Sequence, residues 1–273
     1  MPDHDRFDVR GRVVVVTGAL GQLGREFCRG LHGAGCKVAA LDRRAGEVDR
    51  REAFGSLGDS PNLSLVEADV TSRPSLEAAL ESIETRWGTP YGLVNNAGLD
   101  SPPGASGLEN GPFETYPESS WDKVMEVNAK GVFLCCQVFG GAMARSGAGS
   151  IVNVGSIYGL VSPDQSLYEY RRADGGTFFK PVAYAASKSS LLNLTRYLAT
   201  YWARDGVRVN TVTFGGVFND QDERFLENYG NRVPIGRMAR RDEYNGAVIF
   251  LLSDAASYMT GSNLTIDGGW TAL

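Results

Sequence analysis

The sequence predicts an α/β fold, a single doubly wound domain whose central parallel sheet of about seven strands carries helices on both faces. Apolar runs of strand length alternate with longer stretches of helical period from one end of the chain to the other. Strands that are apolar on both faces and separated by helices require a parallel sheet with helices on both sides. No linker, repeat or low-complexity segment breaks the alternation, so residues 1–273 are expected to form one domain.

The predicted elements follow one another in strand–helix order. A β-branched run at 13–17 leads through a glycine-rich turn into a helical stretch, and later runs repeat that order. The predicted strands cover 13–17, 37–42, 63–68, 91–95, 150–154, 207–213 and 263–267. The predicted helices cover 22–31, 74–87, 118–145, 182–203 and 241–252. Two long segments, 99–117 and 162–181, interrupt the rhythm, and segments of that kind inside a compact domain are usually functional loops.

Composition and charge exclude several classes of function. The chain has 273 residues, of which 42% are hydrophobic and 22% charged, as in an ordinary globular protein. The net charge of −5 argues against a general nucleic-acid or anionic-membrane binder, because such proteins need a cationic surface. His4 and His32 are the only histidines, so neither a Ser-His-Asp triad nor a metal site is expected. Acid–base chemistry must therefore come from other side chains.

The cysteines and the chain start predict a location. Cys28, Cys36, Cys135 and Cys136 form no C-x-x-C pair and are expected to be reduced and buried. The leader has no apolar stretch, and no run approaches the roughly 18 apolar residues of a membrane helix. We therefore expect a cytoplasmic protein with a small-molecule substrate and neither a membrane nor a nucleic-acid partner.

A glycine-rich turn follows the first predicted strand. Glycines there let the backbone approach a pyrophosphate, whose charge is stabilised by the free amides and the dipole of the next helix. A glycine triplet alone is a weak signal, because many strand-to-helix turns need glycine. Its position between a first strand and a helix favours a dinucleotide site. The turn reads Thr17-Gly18-Ala19-Leu20-Gly21-Gln22-Leu23-Gly24.

The end of the second predicted strand indicates which dinucleotide binds. Asp42 lies 24 residues after Gly18. A carboxylate there can accept both ribose hydroxyls of an adenosine and would repel a 2′-phosphate, so NAD is favoured over NADP. Arg43 and Arg44 follow directly and could complement a 2′-phosphate, which keeps NADP open; alternatively, these arginines belong to a solvated turn.

Tyr184 and Lys188 begin the predicted helix 182–203. Residues four apart share one helical face, so the Lys188 ammonium can lie beside the Tyr184 phenol. A nearby positive charge favours the phenolate, and we expect it to bring the pKa of Tyr184 down towards the working range of a base. Taken alone the spacing is a weak signal, since an interface tyrosine and an exposed lysine would have the same pattern.

Several motifs occur in an order that characterises one enzyme family. With them the sequence resembles the short-chain dehydrogenase/reductase family, one-domain NAD(P)-dependent oxidoreductases with a Rossmann fold, over nearly the whole chain. The resemblance implies reversible hydride transfer between NAD(P) and a secondary alcohol or ketone. The motifs are Thr17-Gly-x-x-Gly-x-x-Gly24, Asp69, Asn95-Asn96-Ala97-Gly98, Asn128, Ser156, Tyr184-x-x-x-Lys188 and Ile266-Asp267-Gly268-Gly269-Trp270.

The resemblance also implies roles for individual residues. Tyr184 would be the general acid/base, and Lys188 would lower its pKa while binding the nicotinamide ribose. Ser156 would hydrogen-bond the reacting oxygen, and Asn128 would hold a water that links Lys188 to solvent. The implied cofactor contacts are Thr17, Gly18, Gly21, Gln22, Leu23, Gly24, Asp42, Arg43, Asp69, Val70, Asn96, Ala97, Gly98, Tyr184, Lys188, Gly215 and Val217.

Three features depart from the usual pattern of that family. Gln22 stands where one-domain members usually have glycine, and the resulting spacing resembles the extended branch that acts on nucleotide sugars. Phe214 stands where a proline commonly precedes the glycine of the nicotinamide loop. Ser156 and Tyr184 are 28 residues apart, more than is usual. Residues from about 162 to 181 therefore form an insertion at the mouth of the active site.

This insertion gives the best indication of the substrate. Tyr168, Arg171 and Arg172 are the candidate substrate contacts, and their mixture of cations and aromatic rings suits a sugar phosphate or a nucleotide sugar. The alternative is a solvated loop whose aromatic rings pack on their own core or on another subunit. A similar insertion in relatives that modify surface sugars, such as those of flagellin glycosylation, favours a sugar.

The sequence is compatible with two other functions, and both are disfavoured. An extended-type epimerase or dehydratase is disfavoured, because too little chain follows Thr213 for a larger substrate region. A non-catalytic dinucleotide-binding regulator would have no chemical reason to keep Asn128, Ser156, Tyr184 and Lys188.

The predicted helix 182–203 is apolar around much of its circumference, and the family commonly pairs it across a two-fold axis, so we expect a homodimer or homotetramer.

Overall fold

Seven parallel strands form one sheet in the order β3-β2-β1-β4-β5-β6-β7 in the computed structural model, which describes residues 5–101, 107–173 and 177–273. His4 and the Asp174-Gly175-Gly176 stretch of the predicted insertion lie outside the described residues, as do residues 102–106 of the other long loop. The strands are β1 Val13–Thr17, β2 Lys37–Asp42, β3 Leu63–Glu67, β4 Gly92–Asn95, β5 Gly149–Val154, β6 Val207–Phe214 and β7 Asn263–Ile266.

Helices connect the strands and cover both faces of the sheet, which confirms the predicted doubly wound α/β fold. Two π-helical turns join α4, α5 and α6 into one continuous helix over Glu118–Ser146. The helices are α1 Gln22–Gly33, α2 Arg50–Phe54, α3 Arg73–Trp87, α4 Glu118–Met125, α5 Val132–Cys135, α6 Gly141–Ser146, α7 Glu169–Ala173, α8 Val182–Trp202, α9 Glu223–Arg232 and α10 Asn245–Leu252.

The alternation of side chains along β1 divides the interior into two layers. Val13 and Val15 belong to the core on one face of the sheet, with residues of α3, α5 and α8. Val14 and Val16 belong to the core on the other face, with residues of α1 and α10. Each strand is thus buried from both sides, which is why its sequence is apolar without alternation.

The strand order reverses beside β1, and this reversal locates the ligand crevice. β2 and β3 follow on one side of β1, whereas β4 pairs with its other side. The loops that leave β1 and β4 therefore diverge at the carboxyl ends of the strands. Ligands of open α/β sheets bind in the crevice at such a switch point.

The long helix Glu118–Ser146 corrects the expectation that no segment is long and apolar enough for a membrane helix. Its 29 residues include an 18-residue window of mean hydropathy 1.2, which by length and composition alone is enough to cross a membrane. In the fold, 61% of that window is buried inside the protein. Val132, Phe139 and Met143 lie in the core beneath the sheet. The apolar character of this helix is therefore explained by its position in the core.

Three helices occur where the sequence analysis predicts none, at α2, α7 and α9. The side chain of Asp49 accepts hydrogen bonds from the amides of Arg51 and Glu52 at the start of α2. Asp222 likewise accepts one from Phe225 at the start of α9. An aspartate before a helix is a standard start signal, and here it marks helices too short or too polar to show a clear apolar period.

Candidate active site

The glycine-rich turn lies at the carboxyl end of β1, against the loop that follows β4. Gly18 has φ +63°, and a Cβ there would lie 2.8 Å from the Cα of Ala97. A Cβ on Gly24 would lie 2.1 Å from the carbonyl oxygen of Gly18. Both side chains would collide with backbone, so the turn requires glycine at these positions. The turn thus leaves an open backbone surface at the start of α1.

Thr17 and Asn96 fix the two loops of the crevice to each other. The amides of Asn96 and Ala97 each donate to Oγ1 of Thr17 at 3.1 Å. In return, Nδ2 of Asn96 donates to the carbonyl oxygens of Thr17 at 3.0 Å and Gly18 at 3.2 Å. These reciprocal bonds hold the glycine-rich turn in one position before any ligand arrives.

A cavity of about 590 Å³ extends from this turn over the ends of β2 and β3. Its floor and walls combine backbone, two carboxylates and three cationic side chains, a suitable set for an adenosine and its phosphates. It is lined by Gly18, Gly21, Gln22, Leu23, Asp42, Arg43, Arg44, Ala68, Asp69, Val70, Thr71, Asn96, Ala97, Gly98, Leu99, Lys123 and Val127.

Asp42 and Asp69 provide the acidic groups of this cavity. The carboxylate of Asp42 accepts the amides of Leu20 and Arg44, both at 3.1 Å, and is thereby held at the end of β2. Burial acts to raise the pKa of Asp69, but hydrogen bonds from the amide and hydroxyl of Thr71 outweigh it and lower that pKa. Both carboxylates are thus fixed by local backbone, whereas the side chain of Arg43 is exposed.

A second cavity of about 510 Å³ adjoins the first and contains the predicted catalytic groups. Ser156 lies just after β5, and Tyr184 and Lys188 lie one turn apart on α8. Lys188 Nζ donates to the carbonyl oxygen of Val154 at 2.8 Å and lies 5.9 Å from the centroid of the Tyr184 ring. The structure therefore brings together three of the four residues as predicted.

Burial changes the proton affinity of Tyr184 and Lys188. Burial raises the pKa of Tyr184 to about 12, although a hydrogen bond with Ser156 lowers it in part. Burial lowers the pKa of Lys188 to about 8. The expected net fall in the pKa of Tyr184 is therefore wrong for the protein alone, because the removal of water from the phenol is the largest effect on that pKa. Burial thus shifts the equilibrium of each group towards its neutral form.

Asn128, the fourth predicted residue, lies behind the cavity wall and is fully buried. Its Nδ2 donates to the carbonyl oxygen of Leu99 at 2.8 Å and to Oγ of Ser187 at 2.9 Å. Its Oδ1 accepts the amide of Leu99 at 2.7 Å. Asn128 therefore ties the loop after β4 to α8, which fixes the distance between the two sides of the crevice.

Two unusual residues are explained by their contacts. The Phe214 ring stacks on Tyr244 with centroids 3.9 Å apart, so it fills the core below Gly215. Gln22 Nε2 donates to the carbonyl oxygen of Phe218 at 2.7 Å. Gln22 therefore connects the glycine-rich turn to the loop after β6, and Gly215 and Val217 of that loop line the second cavity.

The predicted substrate residues separate into two groups. Tyr168 and Arg171 line the second cavity. Nη2 of Arg171 donates to Oδ2 of Asp222 at 3.0 Å, so its charge is paired. Arg172 is a correction: its guanidinium donates to the carbonyl oxygens of Phe178 at 2.9 Å and Gln165 at 3.1 Å, and it does not line the cavity. Its role is to hold the insertion together.

The polar residues Asp100, Tyr158 and Lys180 also line this cavity, and none of them is among the predicted site residues. Lys180 Nζ donates to Oδ2 of Asp100 at 2.6 Å and lies 5.3 Å from the Tyr184 ring centroid. Tyr158 shares a hydrogen bond with Tyr168. The available signal was position: Asp100 lies two residues after the Asn96-Ala97-Gly98 motif, and Lys180 lies four residues before Tyr184.

Thr17, Gly24 and Asn128 stand behind the cavity surface, and the remaining predicted catalytic and cofactor residues line one of the two cavities. Leu23, Asn96, Gly98 and Leu99 line both, so the cavities form one continuous cleft. Among residues 5–101, 107–173 and 177–273 no group of His, Cys, Asp and Glu is arranged to hold a metal ion.

Comparison with known proteins identifies relatives along almost the whole chain. A family model described as enoyl-(acyl carrier protein) reductase matches residues 18–271. Galactitol 2-dehydrogenase (L-tagatose-forming) of Cereibacter sphaeroides is 34% identical over 97% of each chain. The NAD-dependent glycerol dehydrogenase of Listeria innocua is 31% identical over 97% of this chain and 96% of its own length.

Solved structures show the same fold with either dinucleotide bound. A short-chain dehydrogenase of Leptospira borgpetersenii with bound NAD⁺ has a TM-score of 0.83 and 32% identity, and the match covers 99% of this chain and 97% of that one. A gluconate 5-dehydrogenase of Burkholderia cenocepacia with NADP and tartrate has a TM-score of 0.81 and 28% identity over 98% of each chain.

Proposed function

The chain belongs to the short-chain dehydrogenase/reductase family of NAD(P)-dependent oxidoreductases, and on that premise we propose that it oxidises a secondary hydroxyl of a neutral polyol with NAD. The observation that supports the substrate class is the pairing of the two cations that line the second cavity besides Lys188: Lys180 with Asp100, and Arg171 with Asp222. Activity on alcohol groups follows from the family; the polyol and the preference for NAD are the proposal.

The residues at the first cavity fit a dinucleotide. Glycine at 18 and 24, where a Cβ would collide with backbone, allows the tight turn whose amides a pyrophosphate needs. Asp42, fixed at the end of β2, would accept the adenosine ribose hydroxyls and oppose a 2′-phosphate. Lys188 and Tyr184, at the far end of the cleft, would bind the nicotinamide ribose. These positions support NAD over NADP.

The chain's own residues supply proton transfer and orientation. NAD⁺, held by the residues of the first cavity, would supply the acceptor for the hydride of the carbinol carbon. Tyr184 takes the hydroxyl proton at its phenolate oxygen, and in the reverse direction it donates that proton. Ser156 hydrogen-bonds both the phenol and the reacting oxygen, and the Lys188 ammonium favours the phenolate. We retain the proposal that a water near Asn128 carries protons from Lys188 to solvent.

The charges of the cleft support a neutral polyol. Ion pairs already satisfy Arg171 and Lys180, so an anionic substrate that binds either cation would have to break its pair or lie beside the carboxylate. Hydroxyl groups can instead bond to the paired Asp100 and Lys180 and to the Tyr158 and Tyr168 hydroxyls. Two relatives, named for galactitol and glycerol, act on substrates of this kind.

A sugar phosphate is the second candidate, because Arg171 is 41% exposed and could exchange Asp222 for a phosphate. The idea of a nucleotide sugar or of surface-sugar modification has no support beyond the insertion and stays a prediction. A screen with NAD and NADP against galactitol, glycerol, threitol and galactitol phosphate separates the candidates. We expect NAD-linked oxidation of the free polyols; activity on the phosphate ester alone would refute the neutral-substrate proposal.

The choice of cofactor has its own test at Asp42. In Asp42→Ser the repulsion of a 2′-phosphate is removed, so the ratio of kcat/KM for NAD to that for NADP should fall by about tenfold, which corresponds to about 1.4 kcal/mol. Arg43→Gln, on the exposed neighbour, is the matched control and should change the ratio in the opposite direction or leave it unchanged. A wild-type preference for NADP would contradict the proposal.

We also propose a homodimer or homotetramer and a cytoplasmic location. Tyr197 and Tyr201 on α8 are 63% and 65% exposed, and their rings stack with centroids 6.1 Å apart. Such an aromatic surface suits burial against a second subunit. All four cysteines are free and buried, as suits a reducing compartment. The domain boundary stays at 1–273, with the insertion at about 162–181 as cover of the substrate cavity.

A further inference from the structure

We infer that the Lys180–Asp100 ion pair is a positioning device that sets the proton affinity of the Tyr184 hydroxyl. The inference rests on the proposed acid/base role of Tyr184 and adds two residues to it. Lys180 precedes α8 and Asp100 follows β4, so the pair closes the cleft from opposite sides. Neither residue belongs to the motifs on which the family resemblance depends.

The geometry places the Lys180 charge close to the Tyr184 ring and the Asp100 charge against Lys180. Lys180 Nζ lies 5.3 Å from the centroid of the Tyr184 ring and 5.9 Å from that of Tyr158. The same atom lies 2.6 Å from Oδ2 of Asp100. The Lys180 side chain is 17% exposed, so water screens its charge less than it would at an open surface.

Backbone bonds hold Lys180 in this position. Its amide donates to Oε1 of Gln165 at 2.9 Å within the insertion. The neighbouring Phe179 donates its amide to the carbonyl oxygen of Asn110 at 2.8 Å, and Nδ2 of Asn110 donates to the carbonyl oxygen of Phe179 at 3.1 Å. These bonds join the insertion to the loop after β4, and the ion pair is part of that junction.

The two charges act on Tyr184 in opposite directions. Burial is the largest cause of the raised pKa of Tyr184, and the hydrogen bond with Ser156 lowers that pKa in part. The carboxylate of Asp100 raises it further. An ammonium at the distance of Lys180 favours the phenolate. While the pair is intact, each charge opposes the effect of the other on the phenol. The other titratable groups facing this part of the cleft are Lys188, Tyr158, Tyr168, Arg171 and Tyr229.

This opposition predicts pH shifts of opposite sign. Lys180→Met leaves the Asp100 carboxylate unpaired. The midpoint, the pH at which kcat for galactitol oxidation with NAD rises to half its maximum, should therefore increase by about one unit. Asp100→Asn leaves the ammonium unpaired, so the midpoint should fall by about one unit. The double variant should return close to wild type. A purely structural loss would lower kcat in both single variants without opposite shifts.

A second readout needs no substrate. The near-ultraviolet absorbance of tyrosinate is titrated in each variant and in the same variant carrying Tyr184→Phe, and the difference isolates the Tyr184 phenol. The order of midpoints should be Lys180→Met above wild type above Asp100→Asn. If galactitol is not oxidised but this order appears, the substrate proposal fails and the ion-pair inference stands.

Arg51 and Asp59 provide the matched control. They form an ion pair of the same 2.6 Å length near α2, with side chains 72% and 52% exposed. Arg51→Met and Asp59→Asn should move neither midpoint. Equal midpoints in wild type, Lys180→Met and Asp100→Asn, or shifts of the same sign in both, would overturn the inference.

Discussion

Tyr184 and Lys188 lie together in surroundings that disfavour charge. Burial raises the pKa of the phenol to about 12 and lowers that of the ammonium to about 8. The protein alone therefore keeps the phenol protonated, ready to donate a proton to a carbonyl oxygen. Oxidation of an alcohol needs the phenolate, and the positive charges of Lys188 and of bound NAD⁺ are the groups that favour it.

Tyr184→Phe tests the acid/base role without removing the ring. The variant should lose kcat by about a thousandfold or more, because general acid–base catalysis is lost while packing is kept. The dissociation constant for NAD⁺, measured by fluorescence titration, should stay within about threefold, a change below 1 kcal/mol. Substantial remaining turnover would refute the assigned role.

Lys188 carries a cost in stability that can be measured. The lowered pKa means that at neutral pH the folded protein holds a charge it disfavours, so Lys188→Met should raise the free energy of unfolding by about 1–2 kcal/mol after the lost bond to Val154 is subtracted. Chemical denaturation measures this change, and activity should be lost.

The lowered pKa of Lys188 also predicts how the free energy of unfolding depends on pH. Between the folded pKa of about 8 and the ordinary value of 10.5, the unfolded chain binds a proton that the folded chain lacks. Wild-type stability should therefore gain relative to Lys188→Met as pH rises through this window. A gap between wild type and variant that is constant with pH would contradict the buried ammonium.

At the scale of elements, the insertion and α9 form one wall of the substrate cavity. Asp222 connects them: it accepts Tyr170 and Arg171 from the insertion and starts α9 through the amide of Phe225. Burial acts to raise the pKa of Asp222, but the hydrogen bonds from Tyr170 and Phe225 outweigh it and bring that pKa to about 2. Asp222 therefore stays ionised well below neutral pH.

Two substitutions separate the two roles of Asp222, which are to bind Arg171 of the insertion and to start α9. Asp222→Asn keeps a helix-starting side chain but removes the charge that Arg171 binds, so KM for the polyol should rise while stability changes by less than about 1 kcal/mol. Asp222→Ala should also lose about 1 kcal/mol of stability. Steady-state kinetics and thermal unfolding measure the two effects. Identical behaviour of both variants would exclude the separate roles.

Elements with a strong local pattern were predictable, and contacts between loops were not. The strand–helix order and the glycine-rich turn follow from apolar period and from backbone sterics within a few residues. Tyr184 and Lys188 share a helix face for the same local reason. In contrast, the sequence offers Arg171, Arg172 and Lys180 as similar cations, and their partners Asp222, Phe178 and Asp100 are fixed by tertiary packing alone.

At the scale of the whole molecule, the exposed rings of α8 are the place where a second subunit should bind. Tyr197→Glu with Tyr201→Glu would place charges in that contact, and sedimentation should show a shift from dimer or tetramer towards monomer. Glu81→Lys on α3, an exposed charge change elsewhere, is the control. A wild-type protein that is monomeric at micromolar concentration would remove the oligomer proposal.

The two cavities join into one cleft at the reversal of strand order, so a dinucleotide along it would present its nicotinamide end beside Ser156, Tyr184 and Lys188. The central claim is hydride transfer from a polyol carbon to that cofactor. The most direct measurement uses galactitol with deuterium on its carbinol carbons and NAD⁺. The account predicts deuterated NADH, formed more slowly than NADH from unlabelled galactitol and absent with Tyr184→Phe. Conversion of galactitol without deuterium on the released cofactor would contradict it.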